Sequence, residues 1–103
     1  MNKKLGICVS SKNSLQHLVG LTKAAITKGI HTDFFFTGDG VYLTQTQEFA
    51  FLLQNAGRIG ICEYSYVSMG YKKEDIPSLH DKDFVTQMRN AWLLEHCDRY
   101  LIF

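Results

Sequence analysis

The chain has one proline and three cysteines in 103 residues, and its longest apolar runs fall well short of the roughly 18 residues needed to span a bilayer. No membrane partner is therefore expected. The opening Met1-Asn2-Lys3-Lys4-Leu5 has a basic flank but no apolar stretch behind it, so a signal peptide is not expected either and the expected compartment is the cytoplasm. A surplus of one charge sign is also missing: 11 Lys and Arg stand against 10 Asp and Glu, for a net charge of +1, which argues against a dedicated nucleic-acid binder. An odd, low cysteine count in a chain able to build its own core does not describe a disulfide scaffold.

Several chemical signatures are absent as well. No C-x-x-C redox pair occurs, no G-x-x-x-x-G-K-[ST] phosphate loop, and no Cys/His set at zinc-ligand spacing. Neither Cys8 nor Cys62 is followed by the arginine that a phosphatase-type loop requires. Gly38-Asp39-Gly40 is too short for a dinucleotide fingerprint and reads first as a turn. With 46% hydrophobic and 20% charged residues, the chain nevertheless has what a core needs, and its length suits one domain over 1–103.

Periodicity organises what remains. Leu5–Val9 predicts a buried strand. Ser10, Ser11, Asn13 and Ser14 then supply helix caps before a helical stripe through Leu15, Leu18, Val19, Thr22 and Ile26, which closes at Lys28-Gly29. Ile30–Thr37, centred on Phe34-Phe35-Phe36, predicts a strand covered on both faces. After the glycine turn, Thr44-Gln45-Thr46-Gln47 fits a capping box for a helix bearing Phe49, Leu52, Leu53 and Ala56. Ile59–Cys62 predicts a third strand and Glu63–Met69 a short helix closed by Gly70. Residues 71–80 read as polar and irregular. Asp81 or Asp83 would cap a last helix carrying Phe84, Val85, Met88, Ala91 and Trp92, before a final strand Arg99–Phe103. Strands alternating with helices predict an α/β fold: a mostly parallel sheet with helices on both faces, flavodoxin- or Rossmann-like, with chemistry at the carboxyl ends of the strands.

That placement separates the thiols. Cys62 ends a strand and precedes a helix, where free N–H groups and the helix dipole favour a thiolate; it is the candidate nucleophile. The adjacent Glu63 would oppose ionisation if its carboxylate faced the sulfur. Cys8, between Ile7 and Val9, reads as a buried hydrophobe that could serve as a neighbouring or resolving thiol. Cys97 falls toward the opposite sheet edge, and its neighbour His96 should point away from it. Asp39, between Gly38 and Gly40, reads as a turn residue on the rim beside the site. Tyr64, Tyr66, Met69 and Tyr71 cluster after Cys62 and would shield a thiol from water.

The run Phe34-Phe35-Phe36-Thr37-Gly38-Asp39-Gly40-Val41-Tyr42-Leu43 resembles the strand-and-loop signature of the DsrE/DsrF-like family, which includes the TusD and YchN groups. Ala24-Ala25 with Lys28-Gly29-Ile30, Ile59-Gly60-Ile61-Cys62 with Gly70, and Asp98-Arg99-Tyr100-Leu101-Ile102-Phe103 are similar to further segments of that family. The resemblance implies a small α/β subunit of a homo-oligomer, a trimer or hexamer. It also implies a sulfur-relay role in which Cys62 carries a persulfide between donor and acceptor proteins, with no metal or organic cofactor. Glu63, Tyr64 and Tyr66 depart from the family pattern. A second expectation belongs to another class: an oligomeric binding module of the same fold, with a buried inert Cys62 and a small-molecule pocket at the carboxyl edge.

Overall fold

The computed structural model describes residues 3–103. The chain forms a five-stranded, all-parallel sheet in the order β4-β3-β2-β1-β5, from β1 (Lys4–Val9), β2 (His31–Phe36), β3 (Arg58–Cys62), β4 (Phe84–Val85) and β5 (Arg99–Ile102). The helices are α1 (Leu15–Lys28), α2 (Phe49–Asn55), α3 (Glu63–Ser68) and α4 (Met88–His96). This is the α/β architecture that the alternating pattern predicts.

Strand order and handedness together decide which helix covers which face. From β1 to β4 each strand lies beside the last, always in the same direction, so right-handed crossovers put α1, α2 and α3 on one face. The step from β4 to β5 runs back across the whole sheet, which sends α4 to the other face. The first face holds the main core: Ile7, Val9, Phe34, Phe36, Ile59 and Ile61 from the strands, against Leu18, Leu52 and Tyr66 from the helices. The second holds a smaller cluster of Cys8, Phe35, Cys62 and Leu93, flanked by Val85, Trp92 and Tyr100. Strand β2 is buried on both sides from Thr32 to Phe36, as its continuous apolar run requires.

Local structure follows the sequence signals with instructive exceptions. Helix α1 ends at Gly29, whose φ of 70° lets its N–H reach the Ile26 carbonyl. Ser14 takes the N-cap position, yet its hydroxyl donates to the Ser11 carbonyl and leaves the helix N–H groups alone. The expected capping box at Thr44–Gln47 does not form. Residues Gly38–Gln45 wind instead into a 3-10 helix, and the buried Thr44 hydroxyl donates to the Val41 carbonyl. The largest difference lies at Phe84-Val85, expected to open the last helix. Both pair with β3 as a strand, and Phe84 sets its ring against Tyr66 at 5.0 Å. Burial of that aromatic at the sheet edge outweighs a helical spacing that only two further turns would support.

The loop after β2 needs its second glycine. A Cβ on Gly40 would stand 2.1 Å from the Val9 carbonyl oxygen, a backbone atom that cannot swing away. Gly40→Ala is expected to destabilise the fold by about 3 kcal/mol or more, through displacement of this loop from the end of β1. Chemical denaturation followed by circular dichroism checks it, with Gly20→Ala, exposed in the interior of α1 and meeting nothing within 4 Å, as the control expected to gain about 0.5–1 kcal/mol.

Candidate functional site

Cys62 closes β3 and is the residue from which α3 departs, with φ −62° and ψ 111°. Only 3% of the residue is exposed, but it lies at the floor of a groove of about 750 Å³. Tyr64, Ser65 and Val67 of α3 form one side, and Val85, Thr86 and Gln87, where β4 passes into α4, form the other. Burial pushes the Cys62 thiol up, since a thiolate loses hydration there. The polar groups of Ser65, Thr37 and Gln87 beside the sulfur favour the thiolate, outweigh this and hold the thiol below its ordinary value. The Gln87 Nε2 stands 3.6 Å from Sγ.

These groups are held by others in turn. Gln87 Nε2 also donates to Thr37 Oγ1 at 2.8 Å, which ties the two side chains together beside the sulfur. The Gly38 N–H donates to Ser65 Oγ at 3.0 Å, which fixes that hydroxyl in place. Gly38 has φ 53°, a left-handed conformation that glycine adopts without strain. With six residues α3 has a weak dipole, so the individual donors carry most of the polarisation. Glu63 also lines the groove, and its carboxylate binds Lys73 Nζ at 2.5 Å, raising that ammonium's pKa.

The other candidate residues fall into different places. Tyr64 lines the groove and is 82% exposed, so it forms a rim and leaves the groove open. Tyr66 turns inward and donates its hydroxyl to the Lys72 carbonyl. Of the glycine turn, Gly38 reaches the site through Ser65, Gly40 packs on β1, and Asp39 is an exposed turn residue outside the groove. Cys8 is buried beside Tyr100. Burial pushes its thiol up, the Tyr100 hydroxyl opposing, while Tyr100 itself is pushed up to about 12 by burial and by Cys8. Cys8 pairs with Phe35 and Phe35 with Gly60, so Cys8 and Cys62 stand two strands and two residues apart. That is roughly 11 Å between Cα atoms, too far for a disulfide within one chain. Cys97 packs over Gly6 on β1, remote from Cys62, and the His96 ring stacks on Trp92 at 4.4 Å.

The sequence reading missed Thr37, Ser65 and Gln87. Two of them had a signal: Thr37 ends the neighbouring strand, and Ser65 stands three residues after Cys62, where a helix N–H and a hydroxyl turn back together. Gln87 had none, because the strand that delivers it reads as helix. No protein-family model and no curated protein matches this chain.

The donor set fixes the pH behaviour. Alkylation of Cys62 is expected to rise with pH through an inflection below that of a free thiol. Gln87→Leu should move the inflection upward and slow alkylation at neutral pH about 3- to 10-fold. The same depression stabilises the fold above the unfolded thiol pKa, and that contribution is lost as pH falls through the folded one. Cys8, shifted the opposite way, should stay slow. Iodoacetamide kinetics with peptide mass mapping measure all three.

Proposed function

We propose that this chain is a sulfur-relay protein of the DsrE/DsrF type that carries sulfane sulfur on Cys62. The observation that carries the reading is a strand-end thiol lining an open groove, hydrogen-bonded by Gln87 and flanked by the polar groups of Ser65 and Thr37. A lowered thiol pKa raises the thiolate fraction at a given pH, and thiolate is the attacking form. In the loading step, Cys62 sulfur attacks the outer sulfur of a donor persulfide R–S–SH. The new bond makes Cys62–S–SH, and the donor leaves as R–S⁻. In the unloading step, an acceptor thiolate attacks the outer sulfur and Cys62 departs as thiolate. Each step exchanges one S–S bond for another, so no external oxidant, reductant or cofactor enters. The donors that favour Cys62 as thiolate also make it a good leaving group.

The groove is much larger than one sulfur atom requires, which suits a partner segment that brings its own cysteine. Exposed Tyr64 and Val67 on its wall give the groove an apolar character suited to a protein surface. Self-association into a trimer or hexamer belongs to the same proposal, with donor and acceptor proteins as the other partners.

After treatment with a sulfane donor, the intact mass of wild type and Cys8→Ser should rise by one sulfur atom and that of Cys62→Ser should not. Equal gain in all three, or gain in none, overturns the carrier role and leaves the inert binding module. Sedimentation at micromolar concentration should show an oligomer; a monomer refutes the assembly part of the proposal.

A further inference from the structure

At the other end of β3, on the α4 side of the sheet, two arginines converge on the chain's one tryptophan. The Cζ of Arg58 lies 4.8 Å from the Trp92 ring centroid and that of Arg89 5.8 Å from it. Gly60 makes this possible: a Cβ there would stand 3.3 Å from both Arg89 Cγ and Arg89 Nη1, so the arginine lies across a strand interior kept free of side chain. Two guanidiniums, permanently charged, are therefore held beside one indole. Among the described residues neither has a carboxylate within ion-pair distance.

Two acids lie near without pairing with either arginine. Asp33 stands opposite Arg58 in the β2–β3 register, and its buried Oδ1 lies 2.9 Å from His31 Nε2 without a formed hydrogen bond. Asp83 accepts the His80 N–H at 2.8 Å. Because β4 pairs only with Ile61 and Cys62, the edge of β3 from Arg58 to Gly60 has no neighbouring strand. A polar cavity of about 660 Å³ opens there, with Arg58, Arg89, His80 and Lys82 on its walls and Asp83 the one acid among them. A second cavity, of about 510 Å³, lies between the same arginines and Trp92.

We propose that Arg58 and Arg89 bind a phosphate-type oxyanion, free or carried as a phosphate monoester. Forked N–H donors match its oxygens two at a time, and its charge relieves the repulsion of the paired guanidiniums. His80 and Lys82 add donors at the rim. The arginine–tryptophan cavity shares Val85 and Thr86 with the Cys62 groove, but the proposal does not depend on the sulfur-relay reading.

Trp92 provides the readout. The intact protein is titrated with inorganic phosphate at constant ionic strength, followed by tryptophan emission and by the thermal midpoint, with phosphoserine in a parallel arm. A saturable emission change with a rise in thermal midpoint is expected, absent with chloride. Arg58→Gln and Arg89→Gln should each weaken binding about tenfold or more, and Arg89→Lys, which keeps the charge and loses the fork, by less. Tighter binding of phosphoserine assigns the anion to an organic carrier; equal binding assigns it to the free ion. An unchanged rate of Cys62 alkylation in the variants shows that they are folded. An identical response to chloride, or unaltered phosphate midpoints in folded glutamine variants, overturns the proposal.

Discussion

Handedness of the last crossover is the constraint on which the other features rest. Three right-handed steps in one direction fill one face of the sheet with α1, α2 and α3. The return step from β4 to β5 leaves α4, nine residues long, to cover the other face alone. Cys62 and Arg58 are on that thinly covered face, two residues on either side of Gly60. The same crossover begins with Gln87, a donor to the Cys62 sulfur, and carries Arg89 and Trp92 back toward the amino ends of the strands. Sulfur and arginines thus share a face, a strand and a covering helix, and are separated by their position along β3.

The polar environment of Cys62 shows why strand ends in a parallel sheet suit thiol chemistry. Thr37 follows β2, Ser65 belongs to α3, and Gln87 follows β4. Residues distant in sequence meet because parallel strands deliver all their carboxyl ends to one edge. Each donor has a second contact that removes its freedom to turn elsewhere. Desolvation alone would make this thiol inert, as it does Cys8 on the same face. The two cysteines differ both in how deeply the sulfur is desolvated, Cys8 more so, and in the polar groups beside it.

Most of the architecture was readable because burial imposes a period. The phenylalanine run predicted a strand covered twice, and Lys28-Gly29 predicted the end of α1. Cys62 was legible as a strand-to-helix junction from Ile59-Gly60-Ile61 before it and Gly70 after. Phe84-Val85 was misread because one Phe and one Val at an edge carry too little alternation to signal a strand, while the residues after them do have a helical spacing. That error hid Gln87. The 3-10 helix at Gly38–Gln45 was hidden for a different reason: Thr44 looks like a cap, but its hydroxyl finds the Val41 carbonyl once the loop packs against β1. Competition between local hydrogen bonds is decided by tertiary packing, which periodicity does not encode.

Strand β4 contains two residues, and one of them, Val85, is the ladder partner of Cys62. So short a strand adds few backbone bonds to the sheet and lets go at a smaller free-energy cost than the strands within it. When it detaches, the wall formed by Val85 and Thr86 moves with it, and sulfur that is almost covered at rest meets solvent. Access to the thiol is then a matter of how often this edge breathes, a clock set by the weakest strand and independent of the acidity that the surrounding donors confer.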